Sequence, residues 1–412
     1  MIGRSSREIA RWGRAMVVAA ACVSAAQWGR AQDEPTAMEV ETVVGETLNK
    51  AGLDSIVAGE FNFADGSSLP VDDVHAVRFR PASVATPKDQ GAVAIHLAGG
   101  GRLPARSVLL VDDACDVTLL NGEQTSLKLD DVSALQWTDS DDTVWKNAVA
   151  KPPAEYDLVV LKAMPQSTSI RAFIESIGVE SVAFEWDRET RTVARTQLVG
   201  VVFARPEALE RPPLSVVTRG GAVIPVREAQ KKDGAASFQC TLPSGSIIEI
   251  PQSEIVSLAV RSSRIRYLSE MTPESVAQRP IVSLPREWKA DRNVRGEPLR
   301  AGTVEYEKGI GVQSGTSLTY ELDGPAEQFA ATLSLDPPRN VTADCEFVVL
   351  ADGQELVRRS LKSGDAPESL RIPLKGAKRL EIRVDYGSNL DFGDHANWCD
   401  AHLVMAPTAG FQ

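Results

Sequence analysis

The residues best suited to bind a ligand in this 412-residue chain lie in its closing stretch, NWCDAHLV (397–404). Successive side chains of a β-strand point to opposite faces, so one face is predicted to carry Trp398, Asp400 and His402. The other face would carry Cys399, Ala401 and Leu403. The second set suits a hydrophobic core, whereas a dry core disfavours a carboxylate and an imidazole. We therefore treat the first face as a candidate ligand-binding surface.

This face has two interpretations. In the first, the Trp398 ring stacks on the apolar face of a pyranose, and the hydroxyl groups of the sugar bond to Asp394, His395 or Asp400. In the second, Trp398 packs beneath a loop and Asp400 pairs with one of the two arginines of DRNVRG (291–296). The sequence alone leaves both open.

The loop before the closing strand, DYGSNLDFGDH (385–395), offers oxygen ligands for a cation. Ca²⁺ prefers carboxylate and amide oxygens, although the spacing here is not that of an EF-hand. One interpretation is therefore a calcium site made of Asp385, Asn389 and Asp391. The other is a solvated acidic turn.

A glycine-rich block, YEKGIGVQSG (306–315), is the second candidate segment. Tyr306 and Lys308 either face a ligand or have structural roles, and we include both among the candidate carbohydrate-binding residues. The glycines fit tight turns or close approach between strands. They are Gly309, Gly311 and Gly315.

Strand-like alternation surrounds both candidate segments. One face of the stretch 329–336 is predicted to carry Phe329, Ala331, Leu333 and Leu335. The run LADGQEL (350–356) places an Asp-Gly turn between two strands. Seven or more short antiparallel strands of this kind predict a two-sheet sandwich.

Two blocks, 306–324 and 380–404, resemble the NPCBM/NEW2 family, a carbohydrate-binding module also attached to family-98 glycoside hydrolases. The resemblance runs from about residue 267 to 404. It implies a galactose-binding-like jelly roll with a glycan as ligand, galactose-containing glycans among the candidates. The chain departs from the family at Gln313, where histidine is usual, and at Ser334, where glycine is expected. These departures concern sugar specificity rather than the fold.

Upstream, the chain repeats a short β pattern of turn glycine, alternating strand, polar pair and apolar strand. The copies are DGSSLPVDDVHAVRF (65–79), NGEQTSLKLDDVSALQW (121–137) and SGSIIEIPQSEIVSLAV (244–260). A related unit at 156–205 contains WDRET (186–190), which reads as a hairpin turn. Bent strands around glycine turns predict SH3-like or Sm-like small barrels in an all-β chain.

We predict the following organisation: signal peptide 1–31, β units 32–146, 156–205 and 214–262, and a sandwich at 267–404. Proline and charge indicate linkers at 146–155 and 205–213, and a short helical turn is predicted at 169–177.

Few side chains in the repeats suggest a site. A lone histidine in a strand is typically a satisfied structural residue, which is our interpretation of His75 and His96. GGG (99–101) is predicted to be a hairpin turn rather than a phosphate loop, since no helix follows. Three tryptophans either anchor a partner or pack at the core edge, namely Trp137, Trp145 and Trp186.

Charge and the first residues restrict partners and location. A net charge of -12 argues against nucleic-acid binding, which needs a basic stripe. Arginines followed by an apolar run (15–26) and small residues predict a signal peptide cleaved before Gln32. The run is short of the ~20 residues of a membrane span. We expect an extracytoplasmic protein, periplasmic, secreted or on the cell surface, and not an integral membrane protein after cleavage; a retained anchor is the alternative.

Four cysteines follow the signal segment: Cys115, Cys240, Cys345 and Cys399. Export permits disulfides, and Cys345 and Cys399 could pair within the sandwich. Buried free thiols are the alternative.

No catalytic constellation is evident. GVQSG (311–315) does not match a nucleophile elbow, and the four histidines show no HExxH spacing. The leading hypothesis is an exported, non-catalytic carbohydrate-binding protein. The alternatives are a structural or protein-interaction protein of the cell envelope and an unrecognised hydrolase.

Overall fold

Antiparallel β-strands make up most of the described chain, as the alternation predicts. The computed structural model describes residues 38–79, 93–138, 142–205, 211–232, 235–336 and 343–407. The predicted signal segment, 1–31, lies outside the described residues. Within the described ranges, no helix is long and apolar enough to cross a membrane.

Four small units of one kind precede the sandwich. The strands of the first are β1 (Met38–Thr42), β2 (Thr47–Lys50), β3 (Leu53–Val57), β4 (Glu60–Phe63), β5 (Ser68–Pro70) and β6 (Val74–Phe79). Those of the second are β7 (Val93–Leu97), β8 (Gly101–Val111), β9 (Ala114–Leu119), β10 (Gln124–Lys128) and β11 (Val132–Gln136).

The third and fourth units continue the series. The third contains β12 (Asp157–Leu161), β13 (Thr168–Ile177), β14 (Ser181–Trp186), β15 (Glu189–Ala194) and β16 (Leu198–Val202). The fourth contains β17 (Leu214–Thr218), β18 (Val223–Val226), β19 (Glu228–Lys231), β20 (Ser237–Thr241), β21 (Ile247–Pro251) and β22 (Ile255–Val260).

Each unit closes in the same way. A single 3₁₀ turn precedes the last strand, at Val71–Asp73, Leu129–Asp131, Arg195–Gln197 and Gln252–Glu254. The last strand then returns to pair with the first, as β1–β6, β7–β11, β12–β16 and β17–β22. This closure is that of the predicted SH3-like small barrels. The predicted segment 32–146 contains two of the units.

The barrels join through their last strands. β11 pairs with β16, and β6 pairs with β22, so the second unit is linked to the third and the first to the fourth. Aliphatic and aromatic side chains from all four units form one buried cluster. The repeat is therefore a single packed assembly.

The predicted linker at 146–155 was partly wrong, because an eight-residue helix, α1 (Thr143–Ala150), occupies its first half. The Asp142 side chain caps the helix by accepting from Val144 N at 2.7 Å. Trp145 is buried over Gly200, where an added Cβ would lie 2.6 Å from the Trp145 Cη2. The predicted helical turn at 169–177 was also wrong, since it is β13. The linker predicted at 205–213 lies mostly outside the described residues.

The predicted turns are confirmed. Asp187 and Arg188 connect β14 to β15 with φ values of 53° and 65°. Asp352 and Gly353 also have positive φ, 48° and 81°, and connect two strands of the sandwich. Two successive positive φ angles are characteristic of type I′ hairpins. GGG (99–101) lies in the β7–β8 hairpin.

The sandwich consists of thirteen further strands. They are β23 (Ile265–Tyr267), β24 (Ser275–Gln278), β25 (Lys289–Ala290), β26 (Leu299–Ala301), β27 (Val304–Tyr306), β28 (Gly309–Gln313), β29 (Thr316–Glu321), β30 (Ala326–Leu335), β31 (Asp344–Ala351), β32 (Gln354–Lys362), β33 (Glu368–Pro373), β34 (Arg379–Tyr386) and β35 (His395–Met405).

Two of its sheets enclose a common core. One has the order β25–β28–β35–β30–β33, and the other has the order β24–β29–β34–β31–β32. Their inward side chains include Tyr320, Phe329, Phe347 and Trp398. The predicted two-sheet sandwich is thus confirmed.

The predicted faces of the closing strand were wrong. β30 and β35 change register between the pairs Ala330↔His402 and Thr332↔Cys399, and Asp400 has a φ of 53°. This β-bulge reverses the alternation. Trp398 therefore shares the core with Ala401 and Leu403, whereas Cys399 packs on the other side.

The bulge directs Asp400 and His402 toward the first barrel. His75 Nε2 lies 3.2 Å from Asp400 Oδ2, and the His75 and His402 rings stack with centroids 5.1 Å apart. Tyr267 packs edge-on against His402. Asp400 therefore pairs with His75 instead of the predicted Arg292 or Arg295. Asp400 and His402 both belong to a junction between the first barrel and the sandwich.

This junction predicts a pH-dependent stability. Burial lowers the pKa of His402, outweighing the opposite influence of the Asp400 carboxylate. Since an unfolded histidine titrates near pH 6.5, the unfolded chain binds more protons just below that pH. The free energy of unfolding is expected to fall as pH drops from about 7 to 5. Urea denaturation across this range tests it.

The matched variant is His402→Asn, whose amide replaces the Nδ1 donor that bonds to Asp400 O at 2.6 Å. It should show a smaller pH dependence. The pH dependence that is left in the variant comes from His96 and His395, whose pKa values are also lowered by burial. An unchanged pH profile in the variant would contradict the expectation.

All four described cysteines are buried free thiols. Burial raises the pKa of Cys115, Cys240 and Cys399 to about 12, so these thiols stay protonated at neutral pH. Cys345 and Cys399 do not pair. The free-thiol alternative is the one observed.

Candidate functional site

A cleft opens at the end of the sandwich where β28 ends and β35 begins. It consists of two adjoining depressions of ≈ 560 Å³ and ≈ 550 Å³ that share Arg286. Four parts of the chain meet there, namely 283–289, 294–297, Gln313 and 391–395. We refer to the two depressions together as the end cleft.

Gln313 and His395 form the polar base of the end cleft. They are direct partners in the β28–β35 register, so their side chains lie on the same face of the sheet. Gln313 is only 4% exposed, and its Oε1 atom has no hydrogen-bond partner in the described structure. A buried amide oxygen without a partner costs free energy, which a donor from a ligand would recover.

Arg295 determines the tautomer of His395. A guanidinium can only donate, and Arg295 Nη1 lies 3.2 Å from His395 Nδ1. Nδ1 is therefore the acceptor, and the proton of the neutral ring is on Nε2. Burial and the charge of Arg295 lower the pKa of His395. The base of the cleft thus combines an N–H donor with the Gln313 acceptor.

Acidic groups behind the cleft hold Arg295 in place. Its Nε donates to Glu297 Oε2 at 3.2 Å, and its Nη2 lies 3.2 Å from Asp336 Oδ2. Asp336 Oδ1 in turn accepts from Asn397 Nδ2 at 2.8 Å. This network pre-organises the imidazole.

The cleft rim is shaped by Asp391. Its buried carboxylate accepts from the backbone amides of Ile281, Val282 and Ser283 at 2.9–3.2 Å. Burial alone would raise the pKa of Asp391, but these amide hydrogen bonds lower it overall. The fixed loop presents Leu284, which is 84% exposed.

Pro285 and Arg286 complete the lining on this side. Phe392 stands in the chain between the lining residues Asp391 and Gly393 and is 45% exposed, but it does not itself line the cleft. The exposed Arg286 forms no ion pair with another described residue. Apolar rim and polar base together resemble the walls of small-ligand sites in general.

All three residues of the predicted calcium site interact with protein groups in the structure. The Asp391 carboxylate is already occupied by the three amides, and Asp385 pairs with Arg358 at 3.2 Å and Arg383 at 3.3 Å. Asn389 Nδ2 donates to Phe392 O at 3.4 Å. Across the ranges that the structure describes, no cluster of three His, Cys, Asp or Glu side chains could hold a metal ion.

Of the seven predicted carbohydrate-binding residues, only His395 lines the end cleft. Trp398 is 1% exposed and has no ring face open to a sugar. Asp394 is buried and accepts from Asp344 N at 3.0 Å, while burial raises its pKa. Asp400 and His402 lie in the junction with the first barrel.

The remaining two predicted residues are also structural. Tyr306 packs against Leu299 and Ala301. Lys308 Nζ bonds to Asp291 Oδ2 at 2.9 Å and to Glu270 Oε1 at 3.0 Å. Burial would lower the pKa of Lys308, but these two carboxylates raise it overall.

The sequence-based search missed Gln313, Arg295 and Arg286 as site residues. The sequence did contain one signal for this site, because the chain departs from the family pattern at Gln313. In the structure Gln313 faces His395 on the neighbouring strand. The register between 309–313 and 395–399 was not derivable from either segment alone.

Gly311 supports the cleft by allowing a loop to pass closely. An added Cβ would lie 2.5 Å from Asn293 Cα and 2.6 Å from Asn293 C, both rigid backbone atoms. Gly311→Ala is therefore expected to destabilise the fold by about 1–3 kcal/mol and to displace the loop that carries Arg295. Urea denaturation measures the first effect.

Gly178→Ala is the matched control. Its added Cβ would meet only Ser181 O, at 3.6 Å, an ordinary contact. A change of less than about 1 kcal/mol is expected there. Equal effects of the two substitutions would contradict the close approach at Gly311.

The facing sheets and the end cleft define this part of the chain as a two-sheet β-sandwich with a concave surface at one end. Residues 264–404, about a third of the chain, match the family model of the NPCBM/NEW2 domain. The resemblance predicted for 267–404 is thereby confirmed.

Comparison with known proteins gives several distant relatives. A Renibacterium salmoninarum protein, named provisionally as an endo-alpha-N-acetylgalactosaminidase, is 26% identical over 179 residues, 42% of this chain. The match spans only 12% of that protein.

Among solved structures, one similar protein is the CBM51 from Clostridium perfringens GH95 in complex with methyl-galactose. It is 23% identical, with 34% of this chain and 99% of that chain covered and a TM-score of 0.31. The tandem CBM51 modules of the family 98 glycoside hydrolase Sp3GH98 from Streptococcus pneumoniae are 11% identical, with 90% and 88% covered and a TM-score of 0.31.

Proposed function

We propose that this chain is an exported, non-catalytic protein that binds a carbohydrate in the end cleft. The observation that carries the proposal is the pair at its base: the Gln313 Oε1 acceptor without a partner and the His395 Nε2–H donor. Adjacent sugar hydroxyls can each donate and accept, so one diol could satisfy both atoms. The match of 264–404 to the NPCBM/NEW2 family model supports the same conclusion.

The rim provides the apolar contact that a sugar ring needs. Leu284 lines the cleft and is exposed beside the polar base, where it could cover the C–H face of a pyranose. We assign the stacking role first predicted for Trp398 to Phe392, which is exposed between the lining residues Asp391 and Gly393.

Binding rather than hydrolysis is favoured by the state of the carboxylates. Glycoside hydrolysis uses two carboxyl groups at the scissile bond. Asp336 and Glu297 are paired with Arg295, and Asp391 is held by three amides. Only Glu287 remains as an acid without such a commitment along the cleft lining.

A glycan array probed with the full chain tests the proposal. The first probes are glycans ending in galactose or N-acetylgalactosamine, suggested by the family resemblance and the name of the Renibacterium relative. Gln313→Leu should abolish binding. Gln328→Leu should not, although Gln328 Oε1 is likewise buried without a partner, because Gln328 lies outside the cleft lining. Flat responses of the wild-type chain, with and without calcium, would refute carbohydrate binding.

Export belongs to the same proposal and rests on the sequence of residues 1–31. Expression of the full chain in a Gram-negative host, followed by fractionation and mass spectrometry, should give an extracytoplasmic product beginning at Gln32. A cytosolic product that retains the first 31 residues would refute this part.

A further inference from the structure

A second concave surface lies far along the chain from the end cleft, between the second and fourth barrels. It is a groove of ≈ 710 Å³ to which β8, β9, β17, β18, β21 and β22 all contribute. We call it the barrel groove. None of its lining residues belongs to the sandwich, so it is independent of the proposed carbohydrate site.

The groove lining is mainly aliphatic. Leu103, Ile224 and Ile250 form a buried floor. Four more aliphatic side chains of the lining are only half-buried and open into the groove: Leu119, Leu120, Val217 and Val256. Apolar surface left open in this way favours an apolar ligand.

One wall of the groove is an unpaired strand edge. β21 pairs with β20 and is the last strand of its sheet, with no strand on its outer side within the described chain. Ile248, Glu249, Ile250 and Pro251 of β21 all line the groove. Free backbone N–H and C=O groups at an edge can pair with another extended segment.

The rim of the groove is acidic. Glu123 and Glu254 form no ion pair with another described residue, whereas Glu249 is neutralised by Lys232 Nζ at 2.7 Å. Arg219, the basic residue of the lining, donates its Nε–H to Ser253 O at 2.6 Å. The Ser253 carbonyl does not neutralise the guanidinium, so the carboxylates of Glu123 and Glu254 against Arg219 leave the lining net negative by one charge. This charge complements a cationic ligand.

We propose that the barrel groove binds an extended protein segment by strand addition to β21. The segment would place aliphatic side chains at alternate positions in the groove, and Lys or Arg at its flank would pair with Glu123 or Glu254. An open strand edge, an apolar trough and an acidic rim each match one property of such a segment. Pro251 lacks an N–H and ends the strand, so the added ladder is short.

The test is selection of peptides with the full chain. A random nonapeptide library displayed on phage should yield sequences with aliphatic residues at alternate positions and a basic flank. The best peptide, fluorescein-labelled, is then measured by anisotropy against three variants. Val256→Trp fills the groove, the pair Glu123→Lys and Glu254→Lys reverses the rim charge, and Val111→Lys changes an exposed aliphatic residue outside the lining.

Val256→Trp is expected to weaken binding at least tenfold, and Val111→Lys is expected to leave it unchanged. The double lysine variant changes only rim positions, so it should fold even if Val256→Trp does not. Its affinity for the basic peptide should fall tenfold or more. Its affinity should rise for the same peptide with Glu in place of the Lys or Arg residues. Backbone amides of β21 should gain protection from hydrogen exchange when the peptide is bound.

Three kinds of result would overturn the proposal. The first is a failure of the predicted peptide specificity: the selected peptides lack alternating aliphatic residues, or they bind wild type and both groove variants equally. The second is a dimer in light scattering that Val256→Trp dissociates, since the groove would then hold a second copy of the chain. The third is binding of an apolar dye in the groove with no peptide selected, which would indicate a small-molecule pocket.

Discussion

Trp398→Ala is expected to lower the free energy of unfolding by about 3–5 kcal/mol, the largest single-residue effect on stability in the sandwich. The Trp398 ring is fully enclosed between the sheets, 5.0 Å from the Phe347 ring and 6.1 Å from that of Phe329, measured between centroids. Removing it leaves a cavity that closely packed neighbours cannot fill.

Urea denaturation of the full chain, with hydrogen exchange at the amides of β30 and β35, measures this loss. Phe392→Ala is the control, because that ring is exposed and should cost less than about 1 kcal/mol. The two variants should separate stability from binding: Phe392→Ala weakens sugar binding and Trp398→Ala weakens the fold. A stable Trp398→Ala chain that had lost only sugar binding would contradict the buried position.

His395→Ala is expected to have the largest effect on carbohydrate affinity, a loss of about 10- to 100-fold. The variant removes the Nε2–H donor at the base of the cleft and leaves the Arg295 Nη1–H group without its acceptor. An unpaired buried polar group costs about 1–3 kcal/mol. This free energy corresponds to the expected loss of affinity of about 10- to 100-fold. Isothermal titration with the best glycan of the array gives the affinity.

His96→Ala is the matched control, since His96 is likewise a half-buried strand histidine, with its Nε2 3.1 Å from Gln136 Oε1. It lies in the second barrel, so glycan affinity should not change. Arg295→Met adds a second readout. Without the guanidinium charge, the pKa of His395 should rise, and an NMR titration of the imidazole ring measures this shift. Identical pH profiles would show that Arg295 does not control the imidazole.

Local sequence patterns were sufficient to predict those features that depend only on residues close together in the chain. The Asp-Gly and Trp-Asp-Arg-Glu turns, the recurring turn glycines and the alternation of 329–335 follow from φ preferences and period-2 burial, which act within a few residues. The repeats predicted at 121–137 and 244–260 each end in a 3₁₀ turn and a closing strand for the same reason.

Long-range pairing decided the rest. A one-residue bulge opposite β30 moved Trp398 from the predicted binding face into the core, and no property of 397–404 alone specifies that bulge. Asp391 resembled a metal ligand until the chain brought the amides of 281–283 against it from more than 100 residues away. Helix α1 formed where proline and charge predicted a linker, because Trp145 could cover Gly200 of a distant strand.

The same distinction between local and long-range information applies to the candidate site. The sequence by itself determined an all-β chain, a sandwich at 267–404 and His395 as a polar residue beside it, since composition and alternation encode burial along each strand. Only the tertiary structure placed Gln313 opposite His395 and Arg295 behind it, because these contacts depend on strand register and on a loop crossing over Gly311. The chemistry of a site on a β-sandwich is set between strands, and a linear sequence specifies that only through the complete fold.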